Sequence, residues 1–227
     1  MSAHVNWGSD ESKREPGLHF MSNDADQIER AMQEDQKDHW GFVIYRCTYN
    51  SDADWQVFEH SYRRAIRETM GFFKGLDIFD KLDVTIIEDR DTLDGASSAT
   101  IRNHFKGWCK EISPEEADDP WSNNQRLKFC IRVDEASLET VVRAAQDAES
   151  PGGDGGYVDL IWKNWSPNQA AEQEGAARGK DVVEGMRAKD VGFMRVALSF
   201  VTGMYCHLRQ EYAWDSEYRR PPYVADG

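Results

Sequence analysis

The chain of 227 residues lacks most of the features that identify a protein class directly. Lys and Arg number 27 against 41 Asp and Glu, which gives a formal net charge of −14. Such a surface repels nucleic-acid phosphates and anionic membranes, so we expect neither as a partner. No apolar run approaches the ~18 residues that a membrane helix needs. Residues 1–17 lack the apolar core of a secretory signal.

Cysteine is scarce, and the motifs of common catalytic sites are missing. Cys47, Cys109, Cys130 and Cys206 form no CxxC pair, and no Cys/His cluster has zinc-ligand spacing, so we expect no metal site. Isolated cysteines in apolar segments favour four reduced thiols and a cytoplasmic protein. Without HExxH, GxSxG or GK[ST], no acid, base and nucleophile set can be assembled and no cofactor is predicted. Whether the protein is an enzyme stays open.

The first strong structural signal is the segment HWGFVIYRCTY, residues 39–49. Its aromatic and β-branched residues predict a buried strand. Residues 51–73 then carry apolar side chains at helical spacing, and Ser51 or Asp52 can cap this helix. The polar composition of residues 1–37 predicts a mobile acidic tail. A single α+β domain is expected over residues 38–224.

The remaining elements alternate between strand and helix. Further strands are predicted over residues 82–89, 126–133 and 157–165, with helices capped by Ser97 or Ser98 and by Asp134. Residues 191–198 predict a fifth strand before a helix over 200–211, although one continuous helix also fits this stretch. Residues 166–190 have few large apolar side chains and predict a flexible insertion.

This order of elements predicts a ferredoxin-like antiparallel sheet with strand order 4-1-3-2 and helices on one face. An extra helix between strands 2 and 3 and a C-terminal extension are departures from that fold. A doubly wound open sheet is the alternative, although no Gly-rich turn follows strand 1.

Alternation along the strands predicts one apolar sheet face and one mixed face. A mixed face must be covered by the chain itself, by a second copy or by a ligand. Strands 1 and 3 are neighbours in the predicted order, so we expect Arg46 and Arg132 on this face together. The candidates for ligand or partner binding are Tyr45, Arg46, Arg132, Asp159, Lys163 and Trp165.

Two functions are compatible with these features. The favoured hypothesis is a non-catalytic intracellular binding or interaction protein that uses the mixed face. Its partner would be an unknown small molecule or protein, a homodimer included. The alternative is a small cofactor-independent enzyme with a pocket between the sheet and its helices. A cavity lined by Tyr45, Arg46, Arg132 or Trp165 would favour the enzyme.

Three motifs carry a resemblance to other proteins. They are WGFVIYRCTY at residues 40–49, the pair IIED and LDGAS between residues 86 and 97, and YRRPPYV at residues 218–224. On these motifs the chain resembles a group of uncharacterised proteins from filamentous fungi, over residues 39–224. No established activity is attached to that group, so the resemblance implies neither a mechanism nor site residues.

Overall fold

The computed structural model of the chain describes residues 10–119, 122–147, 155–167, 181–210 and 212–227. Its strands are β1 (Val43–Arg46), β2 (Ile86–Ile87), β3 (Phe129–Val133), β4 (Tyr157–Trp162), β5 (Phe193–Ala197) and β6 (Val224–Ala225). Its helices are α1 (Asp24–Glu34), α2 (Asp52–Phe72), α3 (Leu76–Phe79), α4 (Arg90–Leu93), α5 (Ser98–Ile112), α6 (Pro114–Ala117), α7 (Glu135–Gln146), α8 (Val201–His207) and α9 (Ala213–Glu217).

The strands form one six-stranded mixed sheet in the order β2-β1-β3-β4-β5-β6. β1 runs parallel to both β2 and β3, and β5 runs parallel to β6. β4 is antiparallel to both of its neighbours. The predicted four-stranded ferredoxin-like sheet of order 4-1-3-2 is therefore wrong, although β1 and β3 are indeed neighbours.

The long connection between β2 and β3 explains this difference. It contains α4, α5 and α6, whose apolar side chains pack on one face of the sheet. A crossover of this kind returns the chain parallel to β1, whereas a hairpin would have returned it antiparallel. The extra helix that the sequence predicts is thus part of the connection that sets the topology.

Helices cover both faces of the sheet, so the prediction of helices on one face is also wrong. The first face carries Ile44, Ile131 and Leu160 and packs against α1, α2, α7 and α8. The second face carries Tyr45 and Cys130 and packs against α4, α5 and α6. Each face has its own apolar core, and a strand buried on both sides has no solvent-facing alternation.

The three longest helices, α2, α5 and α7, begin at capping residues that the sequence predicts. Ser51 and Ser97 each accept a hydrogen bond from a backbone N–H in the first turn of α2 and α5. Asp134 forms a reciprocal capping box with Ser137 at the start of α7. These side chains satisfy N–H groups that a helix leaves unpaired at its beginning. The stretch from residue 191 is a strand followed by a helix, β5 and α8, and not one continuous helix.

Residues 10–34 differ from the mobile tail predicted over residues 1–37, of which residues 1–9 lie outside the described part of the chain. Ala25, Ile28 and Met32 of α1 are buried in the first core. Arg14, upstream of the helix, bonds Asp26 at 2.5 Å and Asp77 at 2.7 Å. The boundary predicted at residue 37 therefore does not match the packing of residues 24–34. The apolar side of α1 is narrow, but it packs against α8, which lies far from α1 in the sequence.

The predicted flexible insertion over residues 166–190 is only partly described. Residues 168–180 lie outside the described part of the chain, as do residues 148–154. Residues 181–190, which we call the covering segment, contact the domain. Within it Ala188 is buried, and the Glu184 carboxylate accepts hydrogen bonds from Ser98.

The packing of α1 leads to a stability prediction. Ile28→Ala should lower the free energy of unfolding by ~2–5 kcal/mol, because it leaves a cavity in the first core. Gln33→Ala changes an exposed residue of the same helix and should shift stability by less than ~0.5 kcal/mol. Urea unfolding of both variants measures the difference. Equal, small effects would mean that α1 is not docked.

Candidate functional site

A buried ionic cluster occupies the mixed face that the sequence singles out. Arg132 on β3 and Asp159 on β4 are cross-strand partners, 5% and 2% exposed. Arg132 donates from Nε and Nη2 to Asp159 Oδ2 at 3.1 and 2.7 Å, and from Nη1 to Glu184 Oε1 at 2.5 Å. The guanidinium is thus held by carboxylates from β4 and from the covering segment. Arg132 and Asp159 therefore share one face.

The covering segment closes over this cluster. Glu184 also accepts hydrogen bonds from the backbone N–H and the hydroxyl of Ser98, at 3.0 and 2.6 Å, where α5 begins. Arg132 Nη1 in addition donates to the Ala96 carbonyl at 3.3 Å. The mixed face is therefore filled by α5, its preceding loop and the covering segment, and it offers no open surface around Arg132.

Burial and mutual attraction shift the pKa values of the charged groups in the cluster. Burial raises the pKa of Asp159 to about 6, against the attraction of Arg132. Burial opposes the charge of Arg132 as well, but the attraction of Asp159 and Glu184 outweighs it and raises the Arg132 pKa. Among the residues described, no donor is hydrogen-bonded to Asp159 Oδ1. Arg195 Nε lies 3.9 Å from this oxygen, beyond hydrogen-bond distance.

Arg46 does not lie on the same face as Arg132, so this part of the prediction is wrong. The β1–β3 register pairs Tyr45 with Arg132 and Arg46 with Val133. Cross-strand partners point to the same side of a sheet, and neighbours along a strand point to opposite sides. Arg46 therefore belongs to the first face. There its guanidinium stacks 4.9 Å from the ring of Trp55 on α2.

Arg46 marks the carboxyl edge of β1 and β2. The chain leaves β1 toward the first face and β2 toward the second, which makes this edge a topological switch point where open α/β sheets often bind ligands. Here the crevice is filled by protein groups. Arg46 donates to Glu88 at 3.0 Å, to Asp52 at 2.5 Å and to the Thr48 carbonyl at 3.0 Å.

Tyr45 and Lys163 are buried in the second core. The Tyr45 hydroxyl bonds His104 Nδ1 at 3.0 Å, and burial raises its pKa. Lys163 Nζ donates to the Ala117 carbonyl at 2.6 Å, and burial lowers its pKa. Their polar atoms therefore complete internal hydrogen bonds.

Trp165 is also buried, 3% exposed, beneath the guanidinium of Arg102 at 4.7 Å. The backbone of Gly192 lies against the indole, where an added Cβ would come within 2.4 Å of the ring. A side chain at position 192 would displace the indole. The contacts of Trp165 are thus those of a packed core residue.

The cysteines are unbridged and buried. Cys47 and Cys130 both belong to the second core. Burial raises the pKa of Cys47 to about 12 and that of Cys109 to about 11. Thiols that stay protonated are poor nucleophiles. In the ranges that the structure describes, no three His, Cys, Asp or Glu side chains are arranged to hold a metal ion.

An open cleft of about 510 Å³, which we call the aromatic cleft, lies where β3 begins and β4 ends. Its apolar lining includes Phe129, Trp162, Tyr212 and Trp214. Its polar lining includes Asn123, Lys128, Asn164, Arg209, Gln210 and Asp215. The cleft is wide enough for a small organic molecule, and aromatic walls with a few polar groups are typical of ligand sites.

Two rings of the aromatic cleft are accessible. Trp214 is 5% exposed, lies 5.3 Å from the Trp162 ring and donates from Nε1 to Asp190 at 2.7 Å. Trp162 is half-buried, and Tyr212 is 76% exposed. Trp214 therefore supports the wall from behind, while Trp162 and Tyr212 can contact a bound molecule.

The two cations of the aromatic cleft differ in their partners. Arg209 bonds Asp35 at 2.7 and 2.8 Å and Glu34 at 2.8 Å. Lys128 Nζ reaches only the side-chain oxygen of Asn123, at 3.5 Å, among the contacts described. Burial lowers the pKa of Lys128, and the charge of Arg209 lowers it further.

A smaller cleft of about 260 Å³ adjoins the aromatic cleft and shares Asn123, Arg209 and Gln210 with it. It lies between α1 and α8, with Ile28 and Tyr205 in its lining. None of the six residues predicted for binding lines either cleft.

Comparison with known proteins adds no assignment. The chain matches no family model, no curated protein and no solved structure. The resemblance to fungal proteins therefore stays a prediction, and geometry alone supports a function. Within the described ranges, no helix combines the length and the apolar character needed to cross a membrane.

The residues of the aromatic cleft were missed in the sequence. Lys128 and Trp162 lie within predicted strands, and the stretch YAWDSEY (212–218) matches no binding motif. Three aromatic side chains within seven residues, between β5 and β6, were the available signal. Nothing local connects it to residue 128.

The raised pKa of Asp159 leads to a pH prediction. An unfolded aspartate loses its proton near pH ~3.9, whereas native Asp159 does so at about 6. The contribution of Asp159 to stability is therefore complete below pH ~4 and falls as the pH rises through 6, by ~3 kcal/mol in all. Asp159→Asn removes this titration. The stability advantage of the wild type over that variant should shrink by this amount between pH ~4 and ~7.

Urea unfolding at several pH values measures the effect. Asp80→Asn, which removes an exposed carboxylate, is the control and should leave the shape of the stability profile unchanged. Parallel profiles for the wild type and Asp159→Asn would contradict the prediction.

Proposed function

We propose that this protein is a non-catalytic binding protein that holds a small organic molecule in the aromatic cleft. The observation that supports the proposal is the cleft itself. Its volume of about 510 Å³ lies within the ~300–1,000 Å³ of small-molecule sites. Trp162 and Tyr212 offer ring surface there, and the amides of Asn123, Asn164 and Gln210 can orient polar groups. The ligand is therefore a molecule with a flat apolar part.

The proposed binding site is the aromatic cleft and not the mixed sheet face that the sequence predicts. Arg132 and Asp159 are buried with each other and with Glu184, so a ligand there would have to break bonds that the fold already makes. The aromatic cleft requires no such opening. A partner protein or a homodimer that uses the sheet face has the same difficulty.

The side chains of the aromatic cleft favour binding over catalysis. Its described lining has Lys128, Arg209 and Asp215 as charged groups, and it contains no Ser, Cys or His that could serve as an activated nucleophile or a base. The Tyr45–His104 pair and the thiols belong to the second core. Four buried, unbridged thiols support a reducing compartment such as the cytoplasm.

Ligand-observed NMR with a panel of planar aromatic fragments tests the proposal. Tyr212→Ala and Trp162→Ala should each weaken bound fragments by about twofold to tenfold, because stacking on an aromatic ring contributes ~0.5–1.5 kcal/mol. Tyr223→Ala is the matched control, since Tyr223 is 74% exposed and outside the lining of the cleft. Fragment binding that is insensitive to both cleft variants would overturn the proposal.

A further inference from the structure

The balance of charge in the aromatic cleft indicates what the ligand carries. Its two described cations are Lys128 and Arg209, and its acid is Asp215, an exposed residue. Arg209 is already neutralised by Asp35 and Glu34 through three hydrogen bonds of 2.7–2.8 Å. The cation that is left for a ligand is Lys128.

Lys128 is held without a carboxylate of its own in the part of the chain that the structure describes. Its amine reaches Asn123 Oδ1 at 3.5 Å, which is the outer limit of a hydrogen bond. The side chain is half-buried. Burial and the charge of Arg209 lower its pKa, and the smaller opposing effects of Asp35 and Asp119 do not offset them. A partly buried charge without a carboxylate at contact distance is less favourable than a paired one, and an anion beside it relieves that cost.

We infer that the ligand of the aromatic cleft is an organic anion. Its flat apolar part lies against Trp162 and Tyr212, and its carboxylate or similar oxyanion bonds the amine of Lys128. This inference rests on the proposed function and adds the chemical class of the ligand. The polar amides of Asn123 and Asn164 hold the remaining polar atoms.

The net charge of −14 does not exclude such a ligand. Charges in solution are screened over ~8 Å at physiological ionic strength, so most of the acidic surface has little effect inside the cleft. The half-buried amine acts at contact distance, where an ion pair in a less polar environment is stronger. The negative surface slows the encounter and leaves the bound state nearly unchanged.

Matched pairs of carboxylate and carboxamide test this inference: benzoate and benzamide, 2-naphthoate and 2-naphthamide, and indole-3-acetate and indole-3-acetamide. The two members of a pair have the same shape and differ in charge. The wild type should bind the better carboxylates about tenfold or more tightly than their amides, because a hydrogen bond between charged groups is stronger than one to a neutral amide.

Lys128→Met should abolish this preference and leave the affinity for the amides unchanged. Lys128→Arg should retain it. Lys106→Met removes a lysine that is exposed on α5 and outside the cleft, and it should retain the preference as well. Isothermal titration calorimetry or fluorescence titration provides the dissociation constants.

The outcomes separate the inference from the proposed function. Equal affinity for carboxylate and amide in the wild type, with both weakened by Tyr212→Ala, would overturn the anion inference and leave the cleft as a binding site. A preference that survives in Lys128→Met would overturn the role of Lys128. No binding of any pair would overturn both proposals.

Discussion

The structure depends on how the Arg132 guanidinium is neutralised. A buried arginine is strongly unfavourable without carboxylate partners, and the pairing of β3 with β1 turns Arg132 toward α5. Asp159 from the neighbouring strand and Glu184 from the covering segment supply the charges. Because Glu184 also bonds Ser98, this one side chain joins β3, the covering segment and the start of α5.

This arrangement determines where binding can occur. The carboxylates that neutralise Arg132 close the second face, and Arg46 with Glu88 and Asp52 fills the carboxyl edge. The sheet remains accessible near the start of β3 and the end of β4, where the segment that carries Tyr212 and Trp214 forms an aromatic wall. The ionic cluster that stabilises the fold and the cleft proposed to bind a ligand thus lie at opposite ends of β3 and β4.

The local elements were predictable, and the long-range arrangement was not. Helix starts at Ser51, Ser97 and Asp134 follow from caps within a few residues. The face of β1 was ambiguous because Val43–Arg46 is buried throughout, so alternation carries no signal. The two-residue β2 is too short for a reliable pattern. The aromatic cleft combines side chains from segments far apart in sequence, which no local rule connects.

The two-residue edge strand β2 has a consequence for how copies of the protein behave together. An edge strand is a template for pairing with another chain, and short or charged edges prevent such pairing. β2 offers only Ile86–Ile87 and is followed by the exposed acids Glu88 and Asp89. Strands of neighbouring molecules would meet carboxylates there. Fibrous aggregation through this edge is therefore disfavoured, even in the concentrated solutions that crystallisation and NMR require.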